Sequence, residues 1–127
     1  MKASVEFLDS KGSPEHQDEP EIKGMTLKEE CYKNLEPVIG IVRMLPIPSL
    51  TAAAMFDDQS IDFVYIDGSH EYDDLRADII AWTPKVKTGG IVAGDDYGVG
   101  QHSDVQRVVD EILPSAKKEG FVWIYTK

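Results

Sequence analysis

Residues 61–97 have the sequence IDFVYIDGSHEYDDLRADIIAWTPKVKTGGIVAGDDY, in which two short apolar runs each end in acid. The runs occupy residues 61–66 and 90–94 and are rich in β-branched side chains, a pattern typical of strands buried on both faces of a sheet. Between the runs, apolar residues recur at helical spacing until Pro84 stops the helix. These helical positions are Tyr72, Leu75, Ile79 and Trp82. The stretch therefore predicts a β-α-β unit.

Carboxylates follow both predicted strands, with Asp67 after the first and Asp95 and Asp96 after the second. Strands joined by one helix run parallel, so we expect these acids to converge at the sheet edge where open α/β folds bind ligands. Crowded carboxylates are relieved by raised pKa values or by a bound cation, and oxygen ligands favour Mg²⁺, Ca²⁺ or Mn²⁺ over zinc. The residues alone leave an alternative open. Asp67 would then serve the turn at Gly68 or cap the helix, and Asp95 and Asp96 would be solvated side chains of a loop.

This stretch resembles class I S-adenosylmethionine-dependent methyltransferases of the metal-dependent small-molecule O-methyltransferase type. In that family an Asp ends the fourth strand, an Asp-Asp or Asp-Asn pair ends the fifth, and together they hold a divalent cation. Asp95 and Asp96 follow Asp67 by 28 and 29 residues (95 − 67 and 96 − 67), which looks like the family spacing. The resemblance implies a Rossmann-like, mostly parallel α/β sheet with flanking helices. It also implies methyl transfer from S-adenosylmethionine to a hydroxyl of a small molecule, assisted by Mg²⁺ or another divalent cation.

Two further positions are implied to contact the cofactor. A strand predicted at residues 3–8 ends in Asp9, which matches the family acid that accepts hydrogen bonds from the cofactor ribose. An ordinary turn residue beside Ser10 remains an equal alternative for Asp9. The loop of residues 44–49 would border the adenine, which makes Ser49 a candidate contact, although Pro46 and Pro48 are unusual there.

Histidines supply the candidate for proton transfer. His70 follows Asp67 by three residues at the opening of the predicted helix, where it could act as general base on a substrate hydroxyl or support a metal's ligands. A helix-capping role is the alternative for His70. His102 follows residues 98–100 and is interpreted as a solvated loop residue. His16 lies in a polar loop and is interpreted as a surface side chain.

The remaining elements are predicted from local signals. Thr26 and Glu29 form a capping box that opens a helix through Leu35, and a second box at residues 103–106 opens another helix. An Ala-rich helix is predicted at residues 49–56. Strands are predicted at residues 38–44 and 121–125.

The composition of the chain limits the kinds of partner and the cellular compartment that we expect. The chain has 127 residues and a formal net charge of −10, which argues against nucleic acid or an anionic membrane as the main partner. We expect residues 1–127 to form a single, partial methyltransferase-like domain. Cys31 is the only cysteine and no apolar run reaches membrane length, so a cytoplasmic setting is expected.

A Gly-rich loop after a predicted strand is missing from the sequence. In the family, such a loop follows the first strand and binds the methionine part of the cofactor, and that strand precedes the segment at which this sequence begins. We therefore expect an amino-terminally truncated domain, with an uncovered strand edge that favours a homo-oligomer.

Two alternatives to methyl transfer remain. One is a non-catalytic acidic α/β module that binds a divalent cation or a partner protein. The other is a receiver-like acid pocket for phosphoryl transfer, which is disfavoured because no Lys follows the last strand at the same edge.

Overall fold

The computed structural model describes residues 26–127, so the strand predicted at residues 3–8, Asp9 and His16 lie outside the described residues. The helices are α1 (Leu27–Leu35), α2 (Ser49–Ala53), α3 (Tyr72–Trp82) and α4 (Ser103–Ile112). The strands are β1 (Ile61–Ile66), β2 (Val86–Gly94), β3 (Lys117–Glu119) and β4 (Val122–Thr126). Among the helices of this part of the chain, none combines the length and the apolar composition that a membrane crossing requires.

The predicted β-α-β unit is confirmed. β1 and β2 pair in parallel, with Ile66 opposite Gly94 at their carboxyl ends, and α3 connects them. Strand order is β1-β2-β4-β3, and the Rossmann-like α/β class with flanking helices is confirmed.

The expectation of a mostly parallel sheet is wrong for residues 26–127, where β4 runs antiparallel to both β2 and β3. For the pairing of β3 with β4 the reason lies in the connection between them. Only two residues separate these strands, and Gly120 takes a left-handed φ of 62° there. A turn this tight joins antiparallel strands only.

The strand predicted at residues 38–44 is not formed. A 3₁₀ turn spans Glu36–Val38, and local carbonyls then take the backbone N–H groups that a sheet ladder would need. Ile41 N donates to Val38 O at 2.9 Å, and Val42 N donates to the same oxygen at 3.1 Å. Ile39 and Ile41 are about half exposed. The apolar run at this position therefore stays outside the sheet.

Helix boundaries follow the local signals closely. The Thr26 capping box is confirmed, since Glu29 N donates to Thr26 Oγ1 at 3.3 Å and Thr26 N donates to Glu29 Oε2 at 2.9 Å. The predicted second box is not formed, because Ser103 is the first residue of α4 and the capping residue, His102, makes no side-chain capping hydrogen bond. α2 ends at Ala53 and does not reach residue 56, because a turn begins directly after Ala53.

The core lies between the sheet and α2, α3 and α4. Trp123 and Trp82 are 0% and 2% exposed, which confirms that they belong to the core. In the described residues β1 forms an edge of the sheet, and its Phe63 and Tyr65 are 55% and 44% exposed. The expected self-association stays a prediction.

Candidate functional site

Parallel pairing of β1 with β2 brings the predicted acids to one sheet edge. Asp67 follows Ile66 directly, and Asp95 follows its partner Gly94. The pKa of the Tyr65 phenol is raised by burial and then by the charges of Asp95, Asp67 and Asp96. All three carboxylates therefore act on one point beside the end of β1.

The turn after β2 is fixed on both sides. Asp95 Oδ1 accepts the N–H of Asp96 at 2.8 Å, and Asp96 has a left-handed φ of 61°, which Asp tolerates better than most residues. Tyr97 is buried, its N–H donates to Phe121 O at 2.8 Å and its hydroxyl donates to Asp110 Oδ1 at 2.6 Å. The turn is thus bound to the start of β4 and to α4, and one Asp95 oxygen is committed to it.

His70 faces Asp96 across the gap between the two strand ends. Its Nε2 lies 2.6 Å from Asp96 Oδ2, and the two side chains are 37% and 27% exposed. The Nε2 atom itself is buried and has no hydrogen-bond partner. The two atoms are therefore in contact, but no N–H is aligned with the acceptor oxygen.

His102 belongs to the same site, which corrects its interpretation as a solvated loop residue. A 3₁₀ turn, Gly100–His102, folds the chain back, and His102 N donates to Val99 O at 2.8 Å. The His102 ring stacks on the His70 ring with centroids 4.0 Å apart and planes 29° apart. The only signal in the sequence for this role was that His102 follows Asp95 and Asp96 by a few residues. That position does not specify the direction in which the side chain points.

One compact group of metal-ligating side chains exists in residues 26–127. It consists of His70, Asp96 and His102, each with one ligand atom within 4.8 Å of the others. Asp67 and Asp95 lie at the same edge but outside this group. Neighbouring carboxylates repel one another when no cation lies between them, and Asp95 Oδ1 already accepts the backbone N–H of Asp96. The ligand set Asp67, Asp95 and Asp96 therefore stays a prediction.

Ser49 occupies a different environment from the acids. It is 6% exposed, and its Oγ accepts the indole N–H of Trp82 at 2.9 Å. Its neighbour Asp78 is 5% exposed; burial raises the pKa of the Asp78 carboxyl, the hydrogen bond with Ser49 lowers it, and the charge of Asp74 raises it. The hydroxyl thus serves a buried polar network beneath the 44–49 loop. A cofactor contact by Ser49 stays a prediction, as does one by Asp9.

Comparison with known proteins identifies the kind of domain. A family model described as a methyltransferase domain matches residues 8–97. A protein of Sinorhizobium fredii, called uncharacterized protein y4gI, is 37% identical over 78 residues, which is 58% of this chain and 9% of that protein.

Solved structures share the fold. A Corynebacterium glutamicum protein superposes with a TM-score of 0.62 at 18% identity, covering 78% of this chain and 53% of that one. The MycE methyltransferase of the mycinamycin biosynthetic pathway, solved with Mg, SAH and mycinamycin VI, superposes with a TM-score of 0.58 at 16% identity, covering 100% and 45%. The chain therefore spans about half the length of these structures and about a tenth of the curated relative.

Proposed function

Because the chain belongs to the methyltransferase-domain family, we propose that it serves S-adenosylmethionine-dependent methyl transfer to a hydroxyl of a small molecule, assisted by a divalent cation. The observation that carries this proposal is the gathering of strand-end acids and His70 at the carboxyl edge of β1 and β2. Open α/β sheets bind ligands at this edge. MycE was solved with Mg, SAH and mycinamycin VI, which supports proposing the same kinds of partner for this chain.

The residues at the edge fit a bound cation. Carboxylate oxygens are the ligands that Mg²⁺ prefers, and the charges of Asp95, Asp67 and Asp96 all act on the Tyr65 phenol at this edge. We assign Asp67, Asp95 and Asp96 as the residues that would hold it. When bound, a divalent cation supplies Lewis acidity that lowers the pKa of a hydroxyl.

His70 is proposed as the general base. Its imidazole takes the proton of the acceptor hydroxyl, and the Asp96 carboxylate, 2.6 Å from Nε2, stabilises the imidazolium that results. The stacked ring of His102 restricts rotation of His70, so the base is held in one orientation before the acceptor arrives.

Tyr65 is proposed to position the acceptor. Burial and the three neighbouring acids raise the pKa of its phenol, so the hydroxyl stays protonated and donates a hydrogen bond to the acceptor oxygen. The Phe63 ring lies 6.3 Å from the Tyr65 ring on the same exposed face. An acceptor with an apolar body and one hydroxyl would match this surface.

Calorimetric binding of S-adenosylhomocysteine to the full chain tests the proposal. We expect binding by the wild-type chain and a loss of about 10-fold to 100-fold in affinity for Asp9→Asn, since a hydrogen bond to a charged group contributes about 1.5–3 kcal/mol. Asp57→Asn, on an exposed turn, is the matched control and should bind normally. A wild-type chain that binds Mg²⁺ but no S-adenosylhomocysteine would refute the proposal in favour of a non-catalytic acidic module.

A further inference from the structure

We propose that His70, Asp96 and His102 form a cation site of two imidazoles and one carboxylate, which takes a borderline divalent ion such as Zn²⁺ or Co²⁺ in preference to Mg²⁺ or Ca²⁺. This site shares only Asp96 with the oxygen ligand set assigned above. Its donors come from three segments, namely the loop after β1, the turn after β2 and the 3₁₀ turn before α4.

The spacing of the three donors suits one small ion. Their ligand atoms all lie within 4.8 Å of one another. Two ligands at about 2.1 Å from a tetrahedral zinc ion lie roughly 3.4 Å apart, so His70 Nε2 and Asp96 Oδ2, which are 2.6 Å apart, must open slightly to bind. The rings of His70 and His102 are stacked with their planes 29° apart, so one ring must turn for both nitrogens to point at the same ion.

The contact between His70 and Asp96 points to a missing partner. A buried nitrogen 2.6 Å from a carboxylate oxygen would ordinarily be hydrogen-bonded, yet His70 Nε2 has no such bond. Buried polar groups without partners are costly. A cation between the two atoms would give His70 Nε2 the partner that it lacks, with the two ligand atoms moving apart as it binds.

The backbone holds two of the donors in advance. The positive φ of Asp96 is fixed by the hydrogen bond from its N–H to Asp95 Oδ1. Val99 N donates to Asp96 O at 3.3 Å, and His102 N donates to Val99 O at 2.8 Å. Asp96 and His102 are thus linked by a short chain of local bonds, which lowers the cost of ordering them on binding.

The donor atoms decide which ion is favoured. Imidazole nitrogen suits zinc, copper, iron and nickel, whereas Mg²⁺ and Ca²⁺ require oxygen ligands. Three protein ligands also leave coordination positions for water or another molecule. A neutral imidazole has a single free lone pair, so a cation bound to His70 excludes the base role proposed for His70.

Calorimetric titration of the chelator-treated full chain with Zn²⁺, Co²⁺ and Mg²⁺ tests the site, and visible absorption of bound Co²⁺ reports nitrogen ligation. Loss of even an outer-shell partner costs about 10-fold to 100-fold in metal affinity, so His102→Ala should weaken Zn²⁺ and Co²⁺ binding by about 100-fold or more and abolish the Co²⁺ spectrum. The matched control His16→Ala should bind both ions normally. Asp67→Asn removes none of the three donors and should weaken Zn²⁺ and Co²⁺ binding much less than His102→Ala does.

The result that would overturn the proposal is unchanged Zn²⁺ and Co²⁺ binding in His102→Ala, or wild-type binding of Mg²⁺ as tight as that of Zn²⁺. Equal losses in Asp67→Asn and His102→Ala would also overturn it, by placing the ion among the oxygens. Unfolding of His102→Ala by urea checks its fold, and His102→Gln repeats the test if that variant is unstable. Methyl transfer and S-adenosylhomocysteine binding do not enter these measurements, so either proposal can fail alone.

Discussion

Substitution of Gly94 by alanine tests whether the close approach of β1, β2 and β4 sets the positions of the strand-end acids. A Cβ on Gly94 would lie 2.4 Å from Trp123 Cζ2 and 2.5 Å from Ile66 O. Trp123 is fully buried, and Ile66 is paired with Gly94 in the parallel ladder. Neither obstacle is the end of a flexible side chain, so the strands themselves must move apart.

The expected cost of Gly94→Ala is large for one methyl group. Overpacking of a core costs about 1–3 kcal/mol, and a clash with backbone places this case near the upper end. For a domain of this size, 1 kcal/mol shifts the melting temperature by roughly 3–6 °C. We therefore expect a loss of about 3 kcal/mol and about 9–18 °C. Since Ile66 and Gly94 directly precede Asp67 and Asp95, the stabilisation of the fold by added Mg²⁺ should fall as well.

Urea unfolding followed by tryptophan fluorescence measures this loss, because Trp82 and Trp123 are both buried. Gly40→Ala is the control, since a Cβ there meets nothing within 4 Å and should change stability by less than about 0.5 kcal/mol. If Gly94→Ala also unfolds within about 0.5 kcal/mol of the wild type and keeps its full response to Mg²⁺, the packing argument is wrong.

Three other outcomes are expected. Ser49→Ala should cost about 1–3 kcal/mol in urea unfolding, because Trp82 loses its buried acceptor; an unchanged midpoint would contradict this. Burial raises the pKa of the Asp78 carboxyl, so the folded state holds the carboxyl proton more tightly than the unfolded state does. The resulting contribution to stability is present at low pH and is lost as the pH rises through the folded-state pKa. Asp78→Asn should therefore stabilise the chain near neutral pH, with the gain shrinking as pH falls; a gain that is independent of pH would refute the cause. Mg²⁺ at about 100 times its dissociation constant should add about 2.7 kcal/mol to the free energy of unfolding. In thermal melts Asp95→Asn should weaken this stabilisation and Asp57→Asn should leave it unchanged. A wild-type melting temperature that does not respond to Mg²⁺ would contradict the site formed by Asp67, Asp95 and Asp96.

Local sequence determined the central unit. The apolar run ending at Ile66, the helical spacing up to Trp82 and the run ending at Gly94 each carry their own period and their own stop signal, so β1, α3 and β2 were predictable. The parallel direction of β1 and β2 follows from a single helical connection. The placement of Asp67 and Asp95 at one edge was therefore contained in the sequence.

The same kind of local reasoning failed where an apolar run needed a partner. Residues 38–44 carry enough apolar side chains for a strand, but a strand forms only when another backbone pairs with it, and turns after Pro37 take the N–H groups instead. Lys117–Glu119, by contrast, joins the sheet although it is charged and exposed, because β4 offers it a free edge. In both segments the availability of a neighbouring backbone for hydrogen bonding, and not the composition of the segment, determined whether a strand formed.

Sequence alone thus determined the β-α-β unit and the acids that follow its strands, because period, stop signals and strand direction are local or topological. Only the tertiary structure brought His102 against His70 and turned Asp96 toward both. That arrangement depends on a left-handed backbone at Asp96 and on the packing of Tyr97 between β4 and α4. Side-chain direction at a site is set by such distant contacts, and no spacing of residue types along the chain specifies it.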